Sequence, residues 1–407
     1  MSRISSLRSA VFGTQPLSEA LGRENGFGLL RLLLALSVIF AHAMPLGVRR
    51  GSIGAHWSRN QVELGGLAVA GFFVLSGFLI TGSGVRLSTA RFVWNRAIRI
   101  LPGLWVCLMV TAFVVAPLVA RREHLLDGFW SHPQGPWQYV MANWSIGTGQ
   151  PGISGLLSHN ADSGFNGSLW SLAYEVLCYL VVAALAALTV LHRARWVVLA
   201  TVVALYCYMV YLAIHGPGLR SPIYIPTALP DWRLPFLGTI GMDKLVPLGL
   251  LFGLGAVAEL YKKQLRMNGI AALLSFALLV GSARYGGFYL IGLPALAYLL
   301  IWLACRMPRP LTKVGAKADF SYGVYIYAFP IQQGLALWHV QRHGYAVYTG
   351  ASVVLALVAA VLSWYLVEKP ALKLKNLGLP RKDTGGAAGP PRPAREPATA
   401  LSARPAG

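Results

Sequence analysis

The chain alternates long apolar runs with short polar segments, and many of the apolar runs approach the roughly 20 residues that a helix needs to cross a bilayer. Inside lipid a helix satisfies its own backbone hydrogen bonds, whereas a closed barrel gives a weaker, alternating pattern. The runs predict spans at 27–47, 64–82, 100–119, 168–190, 196–214, 238–259, 268–283, 287–305, 319–339 and 347–367. The sequence therefore predicts an all-α polytopic integral membrane bundle of about ten transmembrane helices.

Composition agrees with this pattern, since 56% of the residues are hydrophobic and only 12% are charged. A soluble domain usually carries about 25% charged residues, so much of this surface must face lipid. The net charge of +21 would suggest nucleic acid in a soluble protein. Here it is better explained by membrane topology, and we expect the lipid bilayer as a partner and no nucleic acid.

The distribution of Lys and Arg predicts the orientation. With the N-terminus inside, the predicted cytoplasmic segments carry 24 of these residues and the opposite side carries 10. Cytoplasmic loops collect such charges, so the bias predicts N-in and C-in, which an even number of spans requires. We expect a cytoplasmic segment at 1–26, a membrane domain at 27–375 and a disordered, Gly-, Pro- and Ala-rich cytoplasmic tail at 376–407. The expected location is the inner or plasma membrane.

The first span contains two ionisable residues, Arg31 and His42, within LLRLLLALSVIFAHA. Eleven helical steps leave a residual rotation of only ~20°, so both side chains lie on one face, roughly 16 Å apart along the axis. Ionisable residues inside spans are rare and are candidates for function. The alternative is that Arg31 anchors the helix at the interface and His42 is a packing residue.

The fourth predicted span opens with GSLWSLAYE and carries another ionisable residue, Glu175. Counted from opposite ends, His42 and Glu175 both lie about 10 Å below the outer surface. A carboxylate beside an imidazole fixes its tautomer and raises its basicity, as a general base requires. We therefore predict that the two residues approach each other, with a structural ion pair as the alternative.

Arg96 and Arg99 lie one helical turn apart at the predicted cytoplasmic start of the third span. The planar fork of arginine donors suits phosphate, so this pair is a candidate for binding a polyanionic cofactor. An ordinary basic loop that contacts lipid head groups is the alternative.

These motifs appear in an order that resembles a known family. Arg31 and His42 form an R-x10-H pattern, and Arg96-x-x-Arg99 is followed by ILP. The other motifs are GFFVLSGFLI (71–80), whose small residues suit close helix packing, GSLWSLAYE (167–175) and SWYLVEKP (363–370). Together they resemble the membrane-bound acyltransferase family 3 over about residues 25–375. The chain has Ala328 where many members have a histidine.

The resemblance implies a ten-helix core and acyl transfer from acyl-CoA, usually acetyl-CoA, with no metal. It places His42 and Glu175 in the catalytic site, and Arg31, Arg96 and Arg99 in the part that binds the acyl donor. Two further residues of the GSLWSLAYE motif, Trp170 and Tyr174, are predicted to bind the acceptor substrate.

We therefore expect an O-acyltransferase that moves an acyl group from cytoplasmic acyl-CoA to a hydroxyl of a sugar-containing acceptor, such as a cell-surface glycan or a small glycoside. His42 would act as a general base or would carry the acyl group covalently. The alternative is a multi-helix transporter of a small anionic or proton-coupled substrate. That class predicts repeated halves or broken helices, which the sequence does not show.

Overall fold

The structure is a computed structural model that describes residues 13–22, 24–215 and 229–376. Within these ranges ten main helices follow one another, and each overlaps one predicted span. They are α1 Phe27–Ala43, α2 Leu64–Arg86, α3 Thr89–Val110, α4 Trp170–Ala187, α5 Trp196–His215, α6 Met242–Leu260, α7 Gly269–Tyr285, α8 Leu293–Arg306, α9 Ser321–Leu337 and α10 Tyr345–Ser363. The largest difference is at α3, which begins at Thr89 rather than at residue 100, so Arg96 and Arg99 lie inside the helix.

Shorter elements extend or connect these helices. The extensions are Met44–Val48 after α1, Thr111–Val115 and Ala116–Arg122 after α3, Phe288–Gly292 before α8, and Trp364–Glu368, Lys369–Leu372 and Lys373–Asn376 after α10. Separate short helices are Leu17–Ala20, Pro136–Asn143, Val190–Arg193, Arg309–Thr312 and Val340–His343. Strand β1 (Gln15–Pro16) pairs antiparallel with β4 (Arg266–Met267), and β2 (Trp232–Leu234) pairs antiparallel with β3 (Gly238–Ile240).

By length and composition, seven helical stretches of the described chain can cross a membrane. They are Phe27–Val48, Leu64–Arg86, Thr89–Arg122, Trp170–Ala187, Trp196–His215, Phe288–Arg306 and Tyr345–Lys375. Helix α7 is apolar but shorter. The chain is thus a helical, multi-pass membrane protein, while the count of ten spans and the N-in, C-in orientation stay predictions. The predicted tail lies outside the described residues except for residue 376.

Helix α2 lies at the centre of the bundle. Of its most apolar segment 72% is buried inside the protein, the largest share among the seven stretches. Its closest approach is to α6. A Cβ added to Gly77 would stand 1.9 Å from the Phe252 carbonyl oxygen, and one added to Gly255 would stand 2.1 Å from the Val74 carbonyl oxygen. The glycines therefore let the two backbones touch, which confirms the close packing predicted for the GFFVLSGFLI segment.

Substituting Gly77→Ala should destabilise the protein, since the added methyl group meets a backbone carbonyl that cannot move aside. Overpacking of this kind costs about 1–3 kcal/mol. The control is Gly281→Ala in α7, where a Cβ meets nothing within 4 Å. Thermal unfolding in detergent should show a lower midpoint for Gly77→Ala and an unchanged or higher midpoint for Gly281→Ala. Equal midpoints for the two variants would contradict the contact.

Helices α1 and α9 run in the same direction, which positions the candidate site. Asp319, just before α9, pairs with Arg31 near the start of α1. Ten residues further along the chain, Phe329 contacts His42 with its ring, and the next turn places Gln332 Nε2 2.9 Å from the Ile39 carbonyl oxygen. Parallel packing is what two odd-numbered spans require. Arg31 and His42 therefore both face α9, as the helical period predicts.

Candidate active site

A cavity of about 460 Å³ lies between α1, α2, α3, α4 and α9, at the end of α1 that carries Arg31. Its lining is rich in positive charge. The cations are Arg31, Arg86, Arg96, Arg99, Lys317 and Lys375, and the carboxylates are Glu175 and Asp319. Six cations against two carboxylates, in a bundle with little other charge, favour an anionic ligand.

Two of these arginines are held by carboxylates of the protein itself. Asp319 Oδ2 accepts from Arg31 at 3.0 Å and from Arg99 at 2.5 Å. Arg99 also donates to Glu368 Oε2 at 2.9 Å, and the Glu368 side chain is only 2% exposed. The charge of Arg99 is therefore neutralised within the protein. Its two ion pairs link α3 to the start of α9 and to the segment that follows α10.

Sequence reasoning did not single out Asp319 or Glu368 as site residues, although Glu368 belongs to the SWYLVEKP motif. Both lie at the edges of predicted spans, where a charge is ordinary. The sequence signal that could have found them is the presence of Arg31 within one predicted span and of Arg99 at the start of another, because charges taken out of water need partners.

Arg96 is different, because no carboxylate of the described residues pairs with it. Its Nε is buried without a hydrogen-bond partner, and its guanidinium lies 6.0 Å from the centre of the Phe92 ring. Glu175 acts on it electrostatically, and so do the like charges of Arg99 and Lys375. Arg96 is thus a cavity cation that the fold leaves available for a ligand.

Glu175 also lines this cavity, and its partners are hydroxyl groups. Oε1 accepts from Ser76 Oγ at 2.8 Å and from Tyr179 OH at 2.6 Å. Among the contacts of the described residues there is no hydrogen bond or ion pair between Glu175 and His42. The prediction that these two residues are in direct contact is therefore wrong, while a water-bridged approach and the catalytic assignment of each stay predictions.

The depth count assumed that α4 begins at the surface of the protein, whereas α4 begins inside it. The residues that precede it, among them Phe165, Ser168 and Leu169, are at most 4% exposed. Asn166 donates to the Ile326 carbonyl oxygen of α9 at 2.9 Å, so the chain has already entered the protein before the helix starts. Glu175 consequently lines the cavity with Arg31, which lies about 16 Å along α1 from His42.

His42 has a separate environment. Its ring meets Phe329 edge-on at 5.2 Å, and Nδ1 is buried without a hydrogen-bond partner. The carboxylate that acts on this imidazole electrostatically is Asp162. Gln333 of α9 holds the Asp162 segment, since its Nε2 lies 2.7 Å from the Asp162 carbonyl oxygen and 2.6 Å from that of Gly164. Sequence reasoning missed Asp162 because it lies in a long loop without helical periodicity.

The predicted acceptor-binding residues Trp170 and Tyr174 lie against each other, with ring centres 5.8 Å apart. Tyr174 is buried, and its hydroxyl accepts from the Gly241 backbone N–H at 3.0 Å at the start of α6. Lys244 lies 5.9 Å above the Trp170 ring. These contacts join α4 to α6 and do not bring either residue to His42, so their acceptor role stays a prediction.

Fold and site together define a multi-pass membrane protein with a cation-rich cavity at one end of α1 and a histidine further along the same helix. The family model Acyl_transf_3, described as an acyltransferase domain, matches residues 24–367. The chain belongs to this family and is an acyltransferase, which confirms the resemblance read from the five motifs. The transporter alternative is thereby set aside.

Two curated proteins are similar over most of their length. An O-acetyl transferase of Shigella phage Sf6 is 28% identical over 353 residues, covering 85% of this chain and 96% of that protein. Nodulation protein 10 of Rhizobium leguminosarum bv. viciae is 26% identical over 383 residues, covering 87% of this chain and 95% of that protein. No solved structure gives a significant match.

Proposed function

We propose that this protein transfers an acetyl group from cytoplasmic acetyl-CoA to a hydroxyl of a sugar-containing acceptor, such as a cell-surface glycan, at the inner or plasma membrane. The observation that carries the proposal is the cation-rich cavity on the Arg31 side of a family acyltransferase. The name of the Shigella phage Sf6 relative, an O-acetyl transferase, supports the acetyl group and the hydroxyl acceptor.

The cavity suits the nucleotide end of coenzyme A. Phosphate groups bind best to fixed, forked cations, and Arg96 offers a guanidinium with no carboxylate of its own. Arg31 is oriented by Asp319 and faces the same space. The cavity lies among helix ends that the charge distribution predicts to be cytoplasmic, where acyl-CoA is available. Glu175, with Ser76 and Tyr179, then lines the path of the donor rather than orienting His42.

His42 is the residue that we assign to the chemistry. It lies along α1 in the direction of the predicted outer side, on the face that also carries Arg31. In the proposed step the acceptor hydroxyl oxygen attacks the thioester carbonyl carbon while His42 takes the hydroxyl proton. The C–O bond forms, the C–S bond breaks, and the coenzyme A thiolate receives a proton from the imidazolium. Asp162 is the carboxylate that acts electrostatically on that ring.

The direct test uses the full-length protein in proteoliposomes with acetyl-CoA labelled in the acetyl group, and with cell-surface glycans of the host as acceptors. Labelled glycan that disappears when either substrate is omitted is the expected result. Mass spectrometry of surface glycans from cells with and without the protein should show a matching difference of one acetyl group. Glycans identical in both strains, together with no label transfer, would refute the proposed acceptor.

Arg96→Ala should weaken coenzyme A binding by more than about tenfold, because a charged hydrogen bond to phosphate is lost. Folding should be preserved, since no carboxylate is left unpaired. The control is Arg121→Ala, an exposed arginine at the opposite end of the same helical stretch. Calorimetry on the purified protein measures both affinities. Unchanged affinity in Arg96→Ala would remove Arg96 from the donor site.

A further inference from the structure

The segment that follows the last span lies beside Arg96. After α10 the chain continues through three consecutive short helical segments, Trp364–Glu368, Lys369–Leu372 and Lys373–Asn376. Trp94 of α3 fixes its end, because Nε1 donates to the Leu374 carbonyl oxygen at 3.1 Å. Leu372 and Lys375 are consequently part of the cavity lining. The C-terminal part of the fold thus completes the wall of a cavity that the other helices leave open.

Lys375 adds a charge where positive charge is already in excess. Its ammonium acts electrostatically on Arg96 and Arg99, and in the described chain it has no ion-paired carboxylate. Arg99 is neutralised by Asp319 and Glu368, whereas Arg96 and Lys375 are interacting cations that no carboxylate of the described residues neutralises as an ion pair. Two half-buried like charges repel each other, and a bound anion between them would turn that repulsion into attraction.

We propose that Lys375 and Arg96 form a phosphate-binding subsite, in which the segment after the last span grips the nucleotide part of the acyl donor. The ligand chemistry is a phosphate carried by that nucleotide, either the ribose phosphomonoester or the pyrophosphate. Lysine contributes a mobile point charge and arginine a planar fork, a combination suited to the two oxygens of one phosphate. The subsite rests on the proposed use of acyl-CoA and adds a residue outside the recognised motifs.

The test compares wild type, Lys375→Ala, Lys375→Arg and the matched control Lys373→Ala. Lys373 is exposed in the same short turn and does not line the cavity. Calorimetry on full-length protein in detergent measures the affinity for coenzyme A, for 3′-dephospho-coenzyme A and for pantetheine. Lys375→Ala should bind coenzyme A about tenfold more weakly, Lys375→Arg should retain most of the affinity, and Lys373→Ala should match wild type.

The ligand series separates the two phosphate sources. A loss confined to coenzyme A assigns Lys375 to the ribose phosphomonoester, and an equal loss for both nucleotides assigns it to the pyrophosphate. Pantetheine affinity should be the same in all four proteins. Wild-type coenzyme A affinity in a folded Lys375→Ala protein overturns the subsite and leaves the donor proposal standing. No binding of coenzyme A by wild type overturns the donor proposal itself.

Discussion

His42→Ala should reduce acyl transfer by about 10²- to 10⁴-fold, the usual contribution of a positioned general base. The substitution removes the nitrogen that accepts the hydroxyl proton. The substitution should leave the affinity for coenzyme A unchanged, because Arg96 and Lys375 line the cavity at the Arg31 end of α1 and do not contact His42. The measurement is label transfer from acetyl-CoA to glycan at saturating donor, with the dissociation constant of coenzyme A measured separately.

His343→Ala is the matched control, since His343 is an exposed histidine that makes no contact with the site. It should retain full activity. The thermal midpoint of His42→Ala is measured as well, so that a loss of turnover is distinguished from a loss of stability caused by removing the Phe329 ring contact. Wild-type turnover by a folded His42→Ala protein would exclude His42 as the base and would leave Arg31 and the cavity without a catalytic partner.

The sequence predicted correctly those features that depend on one helix alone, or on the difference between apolar and polar segments. Apolar runs long enough to cross lipid can form little other than helices, so the ten main helices were predictable. The helical period sufficed to place Arg31 and His42 on one face, and both indeed face α9. The glycines of α2 were predictable as packing residues, because few other features place small residues within an apolar run.

What the sequence did not give is the arrangement between helices. The predicted depth of Glu175 depended on where α4 begins, and the residues before α4 are themselves buried in the protein. Asp319 and Asp162 looked like ordinary residues of span ends and loops. Their partners, Arg31, Arg99 and His42, are hundreds of residues away or lie on another helix, so no local periodicity could pair them. Such pairings depend on tertiary packing.

The two arginines of the third helix should respond to substitution in opposite ways, although they lie one turn apart. Arg99→Ala leaves Glu368, whose side chain is only 2% exposed, buried without its cation, and it leaves Asp319 with Arg31 as its one remaining cation. Removing one partner of a buried ion pair costs about 3–5 kcal/mol, so the protein should unfold at a markedly lower temperature. Arg96→Ala leaves no carboxylate unpaired and should lose donor affinity with little change in stability.

Thermal unfolding in detergent measures this contrast, and a double variant identifies its cause. If the destabilisation of Arg99→Ala comes from the stranded Glu368 carboxylate, then Arg99→Ala combined with Glu368→Gln should recover part of the lost stability, because the buried charge is gone. Glu368→Gln alone should be destabilising, since it removes one of the two carboxylates that pair with Arg99. Additive losses in the double variant, or equal midpoints for Arg96→Ala and Arg99→Ala, would show that the Arg99 ion pairs do not hold α3 to α10.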